Sequence, residues 1–264
     1  MIMSKTSEKP TIFVTRRWPD AAEEALKQYF EPTFNDGDVP LTATQIADGF
    51  ASHDALAPTV SDEITADIIS TGAAGSGRLI ANFGVGVNHI DLSAAASAGL
   101  AVSNTPGVLT DATADLALAL MLMVSRRAGE GERELRAGKW HGWRPTHLMG
   151  RSLSGKTLGI IGMGRIGKAV AHRAALGFGM KIIYSSRSQM KDIDPSFIRN
   201  TLEQLLKSSD IVSLHTDLNP VTRGLIGQKE LKIMRDHAYL INTARGEIIN
   251  QEALVRALQG GLIG

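Results

Sequence analysis

The chain has 264 residues, of which 43% are hydrophobic and 21% charged, a balance typical of a folded globular protein. A net charge of +1 and the absence of cysteine argue against nucleic-acid partners, a disulfide framework and thiolate chemistry. The longest apolar run, residues 116–124, is too short to span a bilayer, and residues 1–10 are polar without a signal-peptide core. We therefore expect a cytoplasmic protein that binds no membrane.

Strand and helix signals alternate along the first hundred residues. Strands are predicted at residues 11–15, 55–57, 79–83 and 101–103. Helices are predicted at residues 20–30, 41–49, 64–70 and 92–98. Alternation of this kind predicts a parallel sheet with helices on both faces. The turn-forming sequence Asn-Thr-Pro-Gly at residues 104–107 follows, and it is typical of a hinge.

A long apolar helix is predicted at residues 109–127. Its apolar side chains lie nearly all round the axis, so we expect it to be buried on more than one side. A core helix and a helix at a subunit or domain interface both explain this pattern, and the second is favoured. Residues 129–150, which include Trp140 and Trp143, show little periodicity and predict an extended arm or loop.

The most informative run of the chain is LGIIGMGRIGK at residues 158–168. A short apolar strand leads into a Gly-x-Gly-x-x-Gly turn, a helix follows at residues 168–176, and a strand at residues 181–184 closes the unit. This arrangement is the fingerprint of a dinucleotide-binding βαβ unit. A purely structural glycine turn is the alternative, and the flanking strands and helix favour the dinucleotide site.

The three glycines of this turn meet different needs. Gly162 allows the tight turn out of the strand, and Gly164 lets a pyrophosphate approach the backbone. Gly167 allows the helix to pack closely on the strand. The unpaired N–H groups at the start of the helix then face the phosphates.

The strand and helix signals continue beyond this unit. Strands are predicted at residues 211–214 and 238–242, and helices at residues 202–207, 230–233 and 251–259. A further turn begins at residues 260–264. The pattern therefore predicts a dinucleotide-binding fold that is cut short before its last strands.

The choice of dinucleotide depends on the loop after the second strand of the unit. An NAD site carries an acidic residue about 20 residues past the glycines, where it binds the ribose 2′-hydroxyl. Ser186 stands at that place, and the guanidinium of Arg187 is suited to a 2′-phosphate. We therefore predict NADP, with NAD as the second choice. A solvated loop arginine is the alternative interpretation of Arg187.

Arg245 follows a buried strand in the run INTARG at residues 241–246. Ligands of open α/β sheets bind beyond the carboxyl ends of the strands. An arginine at that position can hold a carboxylate with two parallel hydrogen bonds or polarise a carbonyl oxygen. An ion pair with a nearby acid such as Glu247 explains it equally well.

Four segments carry a family resemblance: FGVGVNHID at residues 83–91, NTPGVLTD at 104–111, GKTLGIIGMGRIG at 155–167 and INTARG at 241–246. In this order they resemble the D-isomer-specific 2-hydroxyacid dehydrogenases, most closely the glyoxylate/hydroxypyruvate reductase branch. The match runs from about Thr11 to the last residue. The resemblance implies two Rossmann/flavodoxin-like parallel-sheet α/β domains: a substrate-binding domain at residues 1–104 and an NAD(P)-binding domain, incomplete at its C-terminal end, at residues 105–264.

The resemblance also implies site residues. Arg245 would hold the substrate carboxylate and carbonyl, and the backbone amides of Val85, Gly86 and Val87 would bind the carboxylate. The residues implied for the cofactor are Thr113, Gly162, Gly164, Arg165, Ile166, Gly167, Ser185, Ser186, Arg187, His215, Thr216, Thr222, Thr243 and Ala244. No metal site is implied. The family's dimers form through the region of helix 109–127 and the following arm, which implies a homodimer.

The family's acid/base is a histidine held by a glutamate, both downstream of the arginine, and residues 246–264 contain no histidine. The seven histidines of the chain are in other contexts: His53, His89, His141, His147, His172, His215 and His237. His215 would be at most a cofactor-side residue, and His237 lies on the wrong edge of the sheet. We therefore expect a protein that ends at Gly264 to be poorly soluble and inactive, and a longer version to be active.

The resulting hypothesis is an NADPH-dependent reductase of small 2-oxo acids such as glyoxylate and hydroxypyruvate, which would form the D-2-hydroxy acid. A formate or phosphite dehydrogenase of the same fold is an alternative. A non-catalytic dinucleotide-sensing scaffold, like the corepressors that resemble this family, is another, although no partner-binding tail is visible. Asp217 departs from the family pattern, in which proline is usual.

Overall fold

The computed structural model describes residues 9–264, which form two compact units. The first unit ends at Val108 and the second comprises Leu109–Gly264. Each unit contains one five-stranded parallel sheet, which confirms the predicted α/β fold class. The predicted absence of a signal-peptide core concerns residues 1–10, of which residues 1–8 lie outside the described residues.

The first unit has the strand order β2-β1-β3-β4-β5, a flavodoxin-like arrangement. Its strands are β1 (Thr11–Val14), β2 (Glu31–Phe34), β3 (Ala55–Ala57), β4 (Leu79–Ala81) and β5 (Ala101–Ser103). Its helices are α1 (Asp20–Tyr29), α2 (Ala43–Ser52), α3 (Ala66–Ala74) and α4 (Leu92–Ser97). The central strands are the most deeply buried, with Val14, Leu56 and Ile80 fully inaccessible to solvent. Strand β2 was not predicted, because Pro32 weakens a strand pattern and is tolerated only at an edge such as this one.

The second unit has the strand order β10-β9-β6-β7-β8, which is the Rossmann order. Its strands are β6 (Thr157–Ile161), β7 (Lys181–Ser185), β8 (Ile198–Arg199), β9 (Ile211–Leu214) and β10 (Tyr239–Asn242). Its helices are α5 (Thr110–Ser125), α6 (Ala128–Arg136), α7 (Arg165–Phe178), α8 (Leu202–Ser208), α9 (Gln228–Ile233) and α10 (Gln251–Gln259). Strand β6 lies in the centre of the sheet, so the glycine turn that follows it opens at the middle of one sheet edge.

Helix α5 is buried on one face by its own unit, and its predicted burial on a further side stays a prediction. One face, including Ala114, Ala117 and Met121, is buried against the second unit's core. Arg173 of α7 holds the helix in place, since its guanidinium donates hydrogen bonds to Asp111 at 2.7 Å and Asp115 at 2.8 Å. Elsewhere on the helix apolar side chains remain exposed in the single chain, namely Leu116, Leu122 and Met123.

The prediction of an extended arm over residues 129–150 is wrong in its first part, where helix α6 forms. This helix has no buried residue, so it lacks the apolar stripe by which helices are recognised in a sequence. Ion pairs at helical spacing stabilise it instead, between Arg127 and Glu130 and between Glu132 and Arg136. No helix within residues 9–264 is long and apolar enough to cross a membrane.

Candidate active site

The carboxyl ends of four neighbouring strands meet at one edge of the second unit's sheet. Asn242 pairs with Leu214, Leu214 with Ile161, and Ile161 with Ser185 in the parallel ladders. The loops that leave these strands contain nearly all the cofactor residues implied by the resemblance. The fold therefore brings together, along this carboxyl edge, segments that are far apart in the sequence, from Gly162 to Ala244.

The glycine turn after β6 has the backbone that its sequence predicts. Gly162 has a φ of +97°, and a Cβ there would meet the backbone of His215 and Thr216 in the next strand's loop. A Cβ on Gly167 would meet the carbonyl of Gly162 and the side chain of Ile160, so only glycine allows helix α7 to start this close to β6. Around Gly164 there is no heavy atom within 4 Å of the Cβ position, which leaves the backbone open to a ligand.

These features fit a dinucleotide at the carboxyl edge. The open backbone at Gly164 lies at the N-terminus of α7, where a pyrophosphate binds in Rossmann folds. A second observation comes from Thr243, directly after β10. Its hydroxyl is buried and has no hydrogen-bond partner within the part of the chain that the structure describes. A buried unpaired hydroxyl is rare in proteins and is explained when a ligand supplies the partner.

The other implied cofactor residues, on α5 and α7, differ in their exposure to solvent. Arg165 is the first residue of α7 and is exposed, as expected of a side chain beside a phosphate. Ile166 packs partly against the second unit's core. Thr113 lies in the first turn of α5 and is half-buried.

The loop after β7 is held by two cationic side chains that sequence reasoning missed. Arg199 on β8 donates hydrogen bonds from Nη2 to the carbonyls of Ser186 at 2.9 Å and Arg187 at 3.3 Å. Lys168 on α7 donates to carbonyls further along the same loop, at residues 191 and 192. The Ser186 hydroxyl donates to the carbonyl of Ser188 at 2.6 Å.

With its carbonyls engaged, this loop leaves the Arg187 side chain exposed. Lys168 directly follows the glycine motif, and this adjacency was the available signal for its role. Arg199 gave no signal, because a two-residue strand is too short to show any periodicity.

The loop after β9 contains His215, whose ring Nε2 lies 2.8 Å from the hydroxyl of Ser213. Burial lowers the pKa of His215 to about 4, so the ring is neutral at pH 7. A neutral histidine beside the glycine turn adds no positive charge to the carboxyl edge, and it is a poor proton donor at neutral pH. Thr216 follows it and is half-buried.

The unusual Asp217 has a structural explanation. Its carboxylate accepts a hydrogen bond from the Asn219 side chain at 2.9 Å, and its carbonyl accepts one from the Thr222 hydroxyl at 2.6 Å. The backbone N–H of Asn219 in turn donates to the Thr222 hydroxyl at 2.9 Å. Asp217 and Thr222 therefore close a compact turn, and Thr222 has its hydroxyl engaged within the protein.

Arg245 is presented by a small hydrogen-bonded turn after β10. The Asn242 side chain accepts from the amide of Ala244 and donates to the carbonyl of Arg245, at 2.9 and 2.8 Å. The Arg245 guanidinium donates from Nη1 to the carbonyl of Ala244 at 3.0 Å. The asparagine of the motif thus shapes the backbone that carries the arginine.

In the first unit, the loop Val85-Gly86-Val87 is held through its carbonyls. The Asn82 side chain donates to the carbonyls of Gly84 and Gly86, both at 3.0 Å, and the Asn104 side chain donates to that of Val85 at 2.8 Å. The side-chain oxygen Oδ1 of Asn82 in turn lies 2.9 Å from Nε2 of His89.

Comparison with known proteins decides the family. Residues 118–264, more than half of the chain, match the model of the D-isomer specific 2-hydroxyacid dehydrogenase NAD binding domain. The chain belongs to the D-isomer-specific 2-hydroxyacid dehydrogenase family. Proteins of this family are NAD(P)-dependent oxidoreductases of 2-hydroxy acids, and the matched residues belong to their NAD-binding domain.

Several members of the family are similar over nearly the whole chain. A glyoxylate reductase from Thermococcus litoralis is 42% identical over 97% of this chain and 78% of its own length. A glyoxylate reductase structure from Paecilomyes thermophila is 34% identical, with a TM-score of 0.81 over 97% of this chain and 79% of its own. A D-lactate dehydrogenase structure from Aquifex aeolicus, with NAD and lactic acid, is 28% identical, with a TM-score of 0.82 over 96% and 74% of the two chains.

Proposed function

We propose that the protein reduces a small 2-oxo acid, glyoxylate or hydroxypyruvate, to the D-2-hydroxy acid with NADPH. The observation that carries this proposal is the carboxyl edge, where the glycine turn and the Arg245 turn follow strands whose ends are in register. The relatives named glyoxylate reductase support the choice of substrate. The cysteine-free composition favours the cytoplasm as its location.

Arg245 is the residue we propose to act on the substrate. Its guanidinium would bind the carboxylate through two parallel hydrogen bonds and stabilise the negative charge that develops on the carbonyl oxygen. The bound NADPH supplies the hydride for the carbonyl carbon. In the first unit, the loop at residues 85–87 is held by its carbonyls, and the role of the backbone amides of Val85, Gly86 and Val87 in binding a carboxylate stays a prediction.

The glycine turn would hold the pyrophosphate. Gly164 offers open backbone, and the first turn of α7 offers unpaired N–H groups. Thr243 and Ala244 after β10, and His215 and Thr216 after β9, would line the nicotinamide side.

Preference for NADPH would come from the loop after β7. Ser186 stands where an NAD site has an acid, so no negative charge opposes the 2′-phosphate, and the exposed Arg187 can reach it. Arg199 and Lys168 would act as positioning residues, because they fix the carbonyls of this loop and turn Arg187 towards solvent.

We also propose a homodimer formed through α5 and the segment that follows it. The exposed apolar side chains of α5, Leu116, Leu122 and Met123, are joined by Trp140 at 53% and Trp143 at 83% exposure. Exposed aromatic and aliphatic side chains in this number are typical of an interface between copies. Sedimentation should show a dimer at micromolar concentration, and a monomer would contradict the proposal.

The test of the proposed reaction uses the full-length protein in two assays: NADPH oxidation with glyoxylate or hydroxypyruvate, and NADP+ reduction with formate or phosphite. Arg245→Lys keeps the charge but loses the planar fork, so kcat/KM for glyoxylate should fall, and Arg245→Ala should lower it by about 10²–10³-fold. The affinity for NADPH should hardly change. Arg256→Lys, on the exposed face of α10, is the matched control.

Near-normal turnover by Arg245→Ala would remove this residue from the mechanism. Formate or phosphite oxidation without glyoxylate reduction would replace the proposed substrate class. Dinucleotide binding without turnover of any of the four compounds would favour the scaffold.

A further inference from the structure

A pocket of about 310 Å³ opens at the amino edge of the second unit's sheet, at the other end of the strands from the glycine turn. Lys156 immediately precedes β6, Ile211 begins β9 and Tyr239 begins β10, and all three line the pocket. Its size is at the lower end of the range for small-molecule sites. Nothing in the dehydrogenase reaction uses this edge.

The pocket is cationic. Two cationic side chains, Arg151 and Lys156, line it together with His237 and one acid, Asp210. Arg151 donates from Nη1 to the carbonyl of His237 at 3.2 Å, which leaves its charge unbalanced. Within residues 9–264, neither Arg151 nor Lys156 forms an ion pair with an acid.

Asp210 does not neutralise these cations, because its own hydrogen bonds are satisfied elsewhere. Its carboxylate accepts from the amide of Thr157 at 2.9 Å and from the guanidinium of Arg235 at 2.9 Å, and His237 Nε2 lies 3.4 Å away. Burial alone would raise the pKa of Asp210, but these donors hold it below its usual value. The carboxylate is therefore ionised and paired with Arg235, which does not line the pocket.

A buried hydroxyl marks the inner wall of the same pocket. Ser125, the last residue of α5, is only 1% exposed, and its Oγ has no hydrogen-bond partner in the described part of the chain. Leaving a buried hydroxyl unpaired costs free energy, so native proteins rarely do it without a ligand or water in place. The remaining walls are Ser152 and three apolar groups, the side chains of Leu153 and Ile211 and the ring of Tyr239.

We propose that this pocket binds a small organic anion, a phosphate or carboxylate on a short apolar body. Arg151 and Lys156 would bind the anionic group, the Ser125 hydroxyl would donate a hydrogen bond to it, and the apolar walls would cover the body. The site is distinct from the dinucleotide site, because the two lie at opposite ends of strands of four or five residues.

Three probes of similar size test the proposal: phenyl phosphate, benzoate and the cation benzylamine. We expect saturable binding of one or both anions by calorimetry or amide NMR, and none of benzylamine. Tighter binding of phenyl phosphate assigns the site to phosphates, and tighter binding of benzoate assigns it to carboxylates. Absence of saturable anion binding, or equal binding of benzylamine, would overturn the proposal.

Variants locate the binding. The double variant Arg151→Gln and Lys156→Gln should weaken anion binding by about 10- to 100-fold, as for the loss of charge-assisted hydrogen bonds. Ser125→Ala should weaken it less while leaving the protein folded. Lys181→Gln removes a charge from the start of the neighbouring strand, outside the pocket, and should have no effect.

The dinucleotide site provides the last control. NADPH affinity should be the same in the double variant as in the unmodified protein, whatever the outcome of the reductase assay. If phenyl phosphate instead competes with NADPH, or loses binding in Arg187→Ala, the anion binds at the carboxyl edge and the proposed pocket is wrong.

Discussion

At the carboxyl edge of the second unit's sheet, β6 ends just before Gly162, and at the amino edge the same strand begins after Lys156. The carboxyl edge depends on the absence of side chains, because a Cβ at Gly162, Gly164 or Gly167 would fill or obstruct space that is open in the structure. The amino edge depends instead on charged side chains, since Arg151 and Lys156 line its pocket. Dinucleotide binding at the carboxyl edge should therefore weaken when a side chain is added to one of these glycines. Anion binding at the amino edge should weaken when the charge of Arg151 or Lys156 is removed.

The largest effect is expected at His215, which is half-buried at the carboxyl edge and neutral at pH 7. Its pKa of about 4 lies below the usual value of 6.5, so between these pH values the unfolded chain binds a proton that the folded protein does not. Stability should fall as the pH falls through this window, with a contribution of about 3 kcal/mol fully lost near pH 4.

Urea unfolding of His215→Gln from pH 7.5 to 4.5 checks this. The variant loses the contact with Ser213, so its free energy of unfolding at pH 7.5 should be lower than that of the unmodified protein. This difference in free energy should narrow or reverse as the pH falls. The exposed His141→Gln is the matched control for loss of a histidine. A difference for His215→Gln that does not change with pH would show that this ring titrates normally.

Adding one methyl group at the glycine turn should have the next largest effect. Gly167→Ala places a Cβ against the Gly162 carbonyl and Ile160, so we expect about 1–3 kcal/mol of destabilisation from overpacking and weaker dinucleotide binding. Gly177→Ala in the same helix meets no atom within 4 Å, and it should stabilise by up to about 1 kcal/mol. Equal effects of the two substitutions would mean that the close contact at Gly167 does not matter.

Selectivity between the two dinucleotides sharpens the comparison. Arg187→Ala should weaken NADPH binding by about 1–3 kcal/mol through loss of a charge-assisted hydrogen bond, and leave NADH binding unchanged. Ser186→Asp should repel the 2′-phosphate and favour NADH. Fluorescence titration with both dinucleotides measures the ratio directly, and equal affinities in the unmodified protein would contradict the prediction.

Arg199 should act on the same ratio less strongly, because it holds the loop rather than the phosphate. Arg199→Gln should reduce the NADPH/NADH preference severalfold. Arg199→Lys can donate to only part of the same carbonyl pair, so its preference should lie between those of Arg199→Gln and the unmodified protein. Arg223→Gln, an exposed arginine outside the loop, is the control. A preference that stays unchanged in Arg199→Gln would show that the loop holds its shape without this contact.

The smallest effect concerns stability at the amino edge. Ser125→Ala removes a buried hydroxyl that has no partner in residues 9–264, so it should leave the free energy of unfolding unchanged or raise it by about 1 kcal/mol. A clear loss of stability in urea would show that the hydroxyl has a structural partner. Thr201→Ala, which removes the cap of α8, is the contrasting variant and should destabilise by about 1 kcal/mol.

Much of the fold and of the carboxyl edge could be predicted, because both depend on local patterns. The glycine spacing indicates a turn whose backbone the structure shows, and the buried strands β3, β6 and β9 are short apolar runs. Helix α6 and strand β8 could not be predicted, since neither has a buried apolar pattern of its own.

The contacts that complete each site are non-local. Arg199 reaches the β7 loop from 12 or 13 residues away, and Arg151 meets His237 across 86 residues. Neither spacing is a sequence motif. The amino-edge pocket also depends on Asp210 being paired with Arg235, which only the folded chain shows.

One amide-NMR titration tests directly whether the two edges are separate binding sites of different character. NADPH should shift the amides of the glycine turn and of the Ser185–Arg187 segment, and NADH should shift the first group more than the second. Phenyl phosphate, added afterwards, should shift the amides of residues 151–156 and Ser125 without reversing the NADPH shifts. If both compounds move the same set of amides, or if NADPH moves neither the glycine turn nor the loop after β7, the division of the sheet into these two sites is contradicted.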